Sequence, residues 1–157
     1  MIYKINDWEF DIDWDRTKEH SSLASQAHCT CSYCMNYYEA VELCYPNMRK
    51  FIASFGSHVD GPVEMYPIQP TMYLAGYRIF GKILKAGIEP MMVDGVPIMA
   101  EVRDDEKFML EVGELELPWV LDEDMDEVVS PANEPEFLEK MYKKMLSRSS
   151  GTYFLLS

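Results

Sequence analysis

From Trp8 to Trp14 apolar and acidic residues alternate strictly, with Trp8, Phe10, Ile12 and Trp14 on one side and Glu9, Asp11 and Asp13 on the other. A period of two predicts a strand with one face on a core. Arg16 to Gln26 is polar and serine-rich without a clear period, so it is expected as a connection. A period of 3.6 begins near Thr30 or Ser32, either of which can accept from the first free amides of a helix, and it places Cys34, Tyr37, Val41 and Cys44 on one face. Pro46 interrupts that pattern and opens a second short helix to Phe55, with Met48, Phe51, Ile52 and Phe55 inward and Gly56 as its C-cap.

After the loop from Ser57 to Pro62 the pattern changes to β-branched and apolar runs divided by glycine, proline and acidic turns. Thr71 to Leu84 predicts a long strand in which Gly76 and Gly81 mark bulges or a bend. Asp94-Gly95 between two apolar runs is a two-residue hairpin signal, because both central positions need positive φ. Arg103 to Lys107 reads as the next turn, and Phe108 to Leu121 as the last strand or two. Short connections without intervening helices predict antiparallel pairing. After an acidic linker at about 122–132, Asn133 and Glu136 form a capping pair, and Phe137, Leu138, Met141, Tyr142, Met145 and Leu146 form one apolar stripe of a C-terminal helix. The expected architecture is one α+β domain over residues 1–157: an antiparallel meander packed with a proline-broken N-terminal helical segment and a C-terminal helix.

Composition narrows the partners. Fourteen basic against 27 acidic residues leave a formal charge of −13, which repels a phosphate backbone, so nucleic acid is not an expected partner. No basic region followed by an apolar run opens the chain, and nowhere do about 18 apolar residues stand together, so neither a leader nor a membrane span is expected. The expected location is cytoplasmic, where the four cysteines would be thiols rather than disulfides. A protein partner, a second copy of the chain or a small cationic molecule is the expected association. No small-molecule ligand can be named.

Three of the four cysteines fall within "HCTCSYC", residues 28–34. Cys31 and Cys34 have the C-x-x-C spacing at which a turning chain brings two thiolates to one ion, Cys29 can add a third, and His28 is the nearest candidate for the fourth corner of a zinc tetrahedron. His20 and His58 are more distant alternatives. Cys44 cannot complete the set, since ten helical residues separate it from Cys34 by about 15 Å. Two other readings stand beside the metal. Cysteine packs as a small hydrophobe, which suits Cys34 and Cys44 better than Cys29 and Cys31. Alternatively, a thiol in the first turn of a helix is activated by the helix dipole, so that Cys31 or Cys34 would be the nucleophile of a thiol enzyme with His28 or His20 as base.

The string "CTCSYCMNYYEAV", followed by "FIASFG" and "YLAGYRIFG", resembles an uncharacterised bacterial protein family with a C-x-C-x-Y-C-x-N-[FY] signature, matched here by Cys29, Cys31, Tyr33, Cys34, Asn36 and Tyr37. The resemblance spans Cys29 to Gly81. It implies a bacterial origin and a coherent domain, and it transfers no catalytic role. Two other patterns imitate sites. Gly76 to Ile83 follows a phosphate loop as far as Gly-x-x-x-x-Gly-Lys, but Ile83 replaces the hydroxyl that would hold magnesium, and a plain strand is expected. Asp11, Asp13 and Asp15 begin like a calcium loop, but Arg16 occupies the glycine position and Ser22 the glutamate position. The function expected from these residues is a binding or structural module with zinc at Cys29, Cys31, Cys34 and His28, with the thiol enzyme as the alternative.

Overall fold

The computed structural model describes residues 1–69 and 71–122. Among them are seven strands and three helices: β1 Ile2–Ile5, β2 Trp8–Ile12, α1 Trp14–Gln26, α2 Ser32–Cys44, α3 Met48–Ser54, β3 Glu64–Gln69, β4 Met72–Lys85, β5 Met91–Val93, β6 Val96–Val102 and β7 Lys107–Glu116. The α+β class is as expected. The expected C-terminal helix, and all but the start of the acidic linker, lie outside the described residues.

The strands form one antiparallel sheet in the order β1-β2-β4-β7-β6-β5, with β3 also paired to β4. It is not a plain meander, because β7 enters between β4 and β6. The 14-residue β4 is the axis: β3 and β7 pair with its first part and β2 with its last part, from Gly81 onward. Gly81 has φ +146, and a Cβ there would lie 2.2 Å from the Asp11 carbonyl oxygen, so only glycine lets β2 approach. Gly76, the other expected irregularity, keeps ordinary extended backbone. The Asp94-Gly95 hairpin is as the pattern predicts, with φ +51 and +82. Its Asp94 carboxylate accepts from the backbone and side-chain nitrogens of Asn47 at 2.9 and 2.7 Å, anchoring the start of α3.

The expected strand from Trp8 stops at Ile12, and Trp14 belongs to a helix. Asp13 caps α1 by accepting from the Arg16 amide at 3.2 Å. The polar stretch expected as a connection is therefore helical, and its inward stripe consists of hydroxyls at i, i+4 spacing. Buried Thr17 accepts from the Phe80 amide, Ser21 meets the Ser57 hydroxyl and accepts from the His58 amide, and Ser25 donates to Asp60. A hydrophobicity period cannot register a helix docked through hydrogen bonds.

Helix α2 buries Tyr33, Cys34, Asn36, Tyr37, Ala40 and Val41, which includes Cys34, Tyr37 and Val41 of the expected face. Cys44 is exposed, contrary to the expected face: ten residues at 100° each place it about 80° from Cys34, at the edge of the stripe. In α3 Met48 and Ile52 are buried, with Phe55 just beyond, while Gly56 at φ +91 terminates the helix. The core joins these helices to the sheet through Phe10, which stacks on Phe108 and meets the edge of Phe55, each at 5.2 Å between centroids. No helix among the described residues is long and apolar enough to cross a membrane.

Two polar features of the core and sheet yield measurable consequences. Tyr37 and Tyr77 hydroxyls lie 2.6 Å apart, and Tyr77 donates to the Val59 carbonyl at 2.5 Å, so the buried pair runs Tyr37 to Tyr77 to Val59. Tyr77→Phe strands both a donor and a carbonyl and should cost about 2–3 kcal/mol in urea unfolding, whereas Tyr37→Phe leaves the carbonyl paired and should cost about 1 kcal/mol. Across β6 and β7, Arg103 bridges Glu101 at 3.1 Å and Glu111 at 2.8 Å. Burial, and then the charge of Glu111, push the Glu101 carboxyl up from 4.5 to about 7, against the pull of Arg103. Folding therefore favours the protonated acid, so stability falls as pH rises from about 4.5 to 7. Glu101→Gln should flatten that slope and raise stability at pH 8 by about 1 kcal/mol, read from melting curves across pH.

Candidate metal centre

The cysteines occupy the junction between α1 and α2. Ala27 closes α1, and Cys31, in extended backbone at φ −64 and ψ 157, stands at the N-cap of α2, the position expected for Thr30 or Ser32. Its sulfur does what a serine or aspartate oxygen does there, accepting from the Cys34 amide at 3.5 Å. One turn earlier the Cys31 amide points at the Cys29 sulfur, 3.4 Å away. Two successive N–H···S contacts thus curl the chain around its own sulfur atoms. All three Sγ atoms lie within 4.8 Å of one another, and among the described residues no other group of three His, Cys, Asp or Glu converges in this way.

That geometry fits a metal ion. Tetrahedral zinc at about 2.3 Å from each sulfur needs sulfurs about 3.8 Å apart, so closure takes a swing of about 1 Å. Cys29 and Cys31 are exposed and free to make it, while buried Cys34 supplies the fixed corner. The amide hydrogen bonds orient the sulfurs as outer-shell contacts do in metal sites. Cys29, Cys31 and Cys34 are positioned to hold a metal ion.

The electrostatics are uneven across the cluster. The Cys31 amide aimed at Cys29, helped by the Cys31 side chain, holds the Cys29 thiol below its ordinary range. Burial pushes the Cys34 thiol well up, and the neighbouring Cys31 adds to the effect. Cys34 is therefore poorly suited to act as the free nucleophile that the alternative reading assigns to it.

The histidines divide. His28 packs on Tyr38 at 4.2 Å between ring centroids, with Nδ1 3.1 Å from the Cys29 carbonyl oxygen. It lines the same cavity as the cysteines but stands outside the convergent group. His20 packs on the Phe80 ring, and His58 shares a 3.2 Å hydrogen bond with Ser22, so neither joins the sulfurs. The imitation phosphate loop lies within β4. Of the three aspartates, Asp13 caps α1 and Asp11 pairs with the terminal amine at 3.0 Å.

Two features of the site escape sequence patterns. The first is a cavity of about 700 Å³ onto which all three cysteines open, walled by Tyr33, Tyr38, Val63, Met65 and Arg78. Its walls come from α1, α2, the approach to β3 and β4, a combination that no local spacing encodes. The second is the hydroxyl of Tyr33, which is buried and has no hydrogen-bond partner. Burial, and the nearby Cys31 sulfur, raise that phenol to about 12. No protein-family model, curated protein or solved structure matches the chain.

The capping role of Cys31 separates fold from metal. With chelator and reductant present, Cys31→Ser should unfold in urea within about 0.5 kcal/mol of the parent, because serine also caps, while Cys31→Ala should lose about 1 kcal/mol.

Proposed function

We propose that the chain is a zinc-binding module in which Cys29, Cys31 and Cys34 hold one ion as thiolates. The supporting observation is the convergence of the three sulfurs within 4.8 Å on a chain turn shaped by hydrogen bonds to sulfur. Soft thiolates select thiophilic ions, and zinc accepts a tetrahedral thiolate set without redox chemistry. The ion would tie the end of α1 to the first turn of α2, and a bound ion stabilises the folded chain by mass action. The role is one of binding and structure, in which the thiols act as ligands. The acidic composition supports a partner other than nucleic acid.

Elemental analysis of untagged, reduced and dialysed protein should give one zinc per chain. Cys29→Ser and Cys34→Ser should each lower retention at least tenfold, and exposed Cys44→Ser should leave it unchanged. In the loaded protein one thiol, that of Cys44, should react promptly with a thiol reagent, and chelation should unmask the others. Protein that stays free of zinc, cobalt and cadmium with all thiols titrating would overturn the metal reading.

A further inference from the structure

The cavity beside the sulfurs has an unusual charge. In a chain with 27 acidic residues, none of the described residues lining it is a carboxylate, and among them the one side chain of fixed charge is Arg78. Arg78 is exposed on β4, where its backbone partner is Met109, and among the described residues no ion pair engages it. The contrast with another cavity, near the terminal amine, is direct: there Asp11, Asp13, Asp15 and Glu106 surround Arg16 and Lys82, and Arg16 pairs with Glu106 at 3.3 Å. Apolar Val63 and Met65 and the rings of Tyr33 and Tyr38 line the same cavity as Arg78 and the three cysteines. At about 700 Å³ it is of the size that holds a small organic molecule.

Three thiolates leave one corner of a tetrahedron. His28 is held by its contacts with the Cys29 carbonyl and the Tyr38 ring and lies outside the convergent set. The buried Tyr33 hydroxyl, two residues after Cys31, still lacks a partner. A polar group left unpaired in the interior costs about 1–3 kcal/mol, so this hydroxyl is a local weak point in the wall of the cavity.

We propose that the fourth position on the ion is taken by a small organic acid bound in this cavity, with a metal-binding donor at one end, a short apolar body, and a carboxylate at the other end on Arg78. The inference rests on the metal reading and names the ligand class of that site. Arginine suits the carboxylate because its planar fork donates two parallel hydrogen bonds. For an ω-mercapto acid, binding forms one metal–sulfur bond, displaces a water from the ion and releases the thiol proton to solvent, with no change of oxidation state.

The reduced 157-residue chain is loaded with cobalt(II), whose thiolate charge-transfer absorption reports its ligands, and titrated with mercaptoacetate, 3-mercaptopropionate, 4-mercaptobutyrate and 1-propanethiol. The acids should add one sulfur per cobalt, with a single preferred length bound at least tenfold more tightly than propanethiol. Arg78→Ala should abolish that preference without altering cobalt uptake, Arg78→Lys should restore part of it, and propanethiol should bind both variants alike. Equal affinity for acids and propanethiol in the parent, or indifference to Arg78→Ala, overturns the ligand while leaving the metal site intact. Loss of cobalt in His28→Ala, with no added thiol entering the parent spectrum, assigns the fourth position to His28 and overturns it as well. Failure to take up cobalt before any acid is added overturns the metal reading and this inference together.

Discussion

Everything around the sulfur cluster depends on how α2 is held at its N-terminal end. Asn36, fully buried, donates to the Pro118 carbonyl at 3.1 Å and the Tyr73 hydroxyl at 3.3 Å, and accepts from the Val120 amide at 2.8 Å. Next to it Tyr37 reaches Tyr77 and, through it, Val59. Two adjacent side chains thereby lock the first turns of α2 to β4, to the segment after β7 and to the loop before β3. Unpaired, these buried groups would each cost more than a hydrogen bond contributes, so the network fixes a unique register of helix on sheet. The cysteines inherit their positions from that register.

The cluster is consequently half rigid and half adaptable. Cys34 lies on the buried face with Tyr37, whereas Cys29 and Cys31 belong to the exposed turn before the helix. Tyr38 tethers this turn by donating to the Cys29 carbonyl at 3.1 Å. A fixed sulfur with two adjustable ones suits ion capture, since the set can contract around a cation without disturbing the core. Burial disfavours the Cys34 thiolate, so an ion held there would couple to the fold through this side chain.

The distribution of charge gives the surrounding surface its direction. Carboxylates gather near the terminal amine and along the turn from Arg103 to Lys107, where Lys107 and Arg16 partly neutralise them. The sulfur-lined cavity is instead apolar and carries a cation. The acidic remainder of the chain disfavours anions in general, and Arg78 is the local exception that the proposed ligand would use.

Local periodicity by itself determined much of this protein. The buried face of β2, most of that of α2, the helix after Pro46, the Asp94-Gly95 hairpin, the irregular backbone at Gly81 and the α+β class follow from hydrophobic spacing and from the backbone freedom of glycine, both of which act within a few residues. The proximity of Cys29, Cys31 and Cys34 was legible for the same reason, being a short-range turn. Tertiary structure decided the rest. Helix α1 carries no apolar stripe, and its hydroxyls become a docking face only when Phe80, Ser57 and Asp60 supply partners 35 or more residues away. The place of β7 between β4 and β6, the exposure of Cys44, the standing of His28 outside the sulfur group and the arrival of Arg78 at the cavity depend likewise on pairings between distant segments, whose energies no single stretch of chain contains.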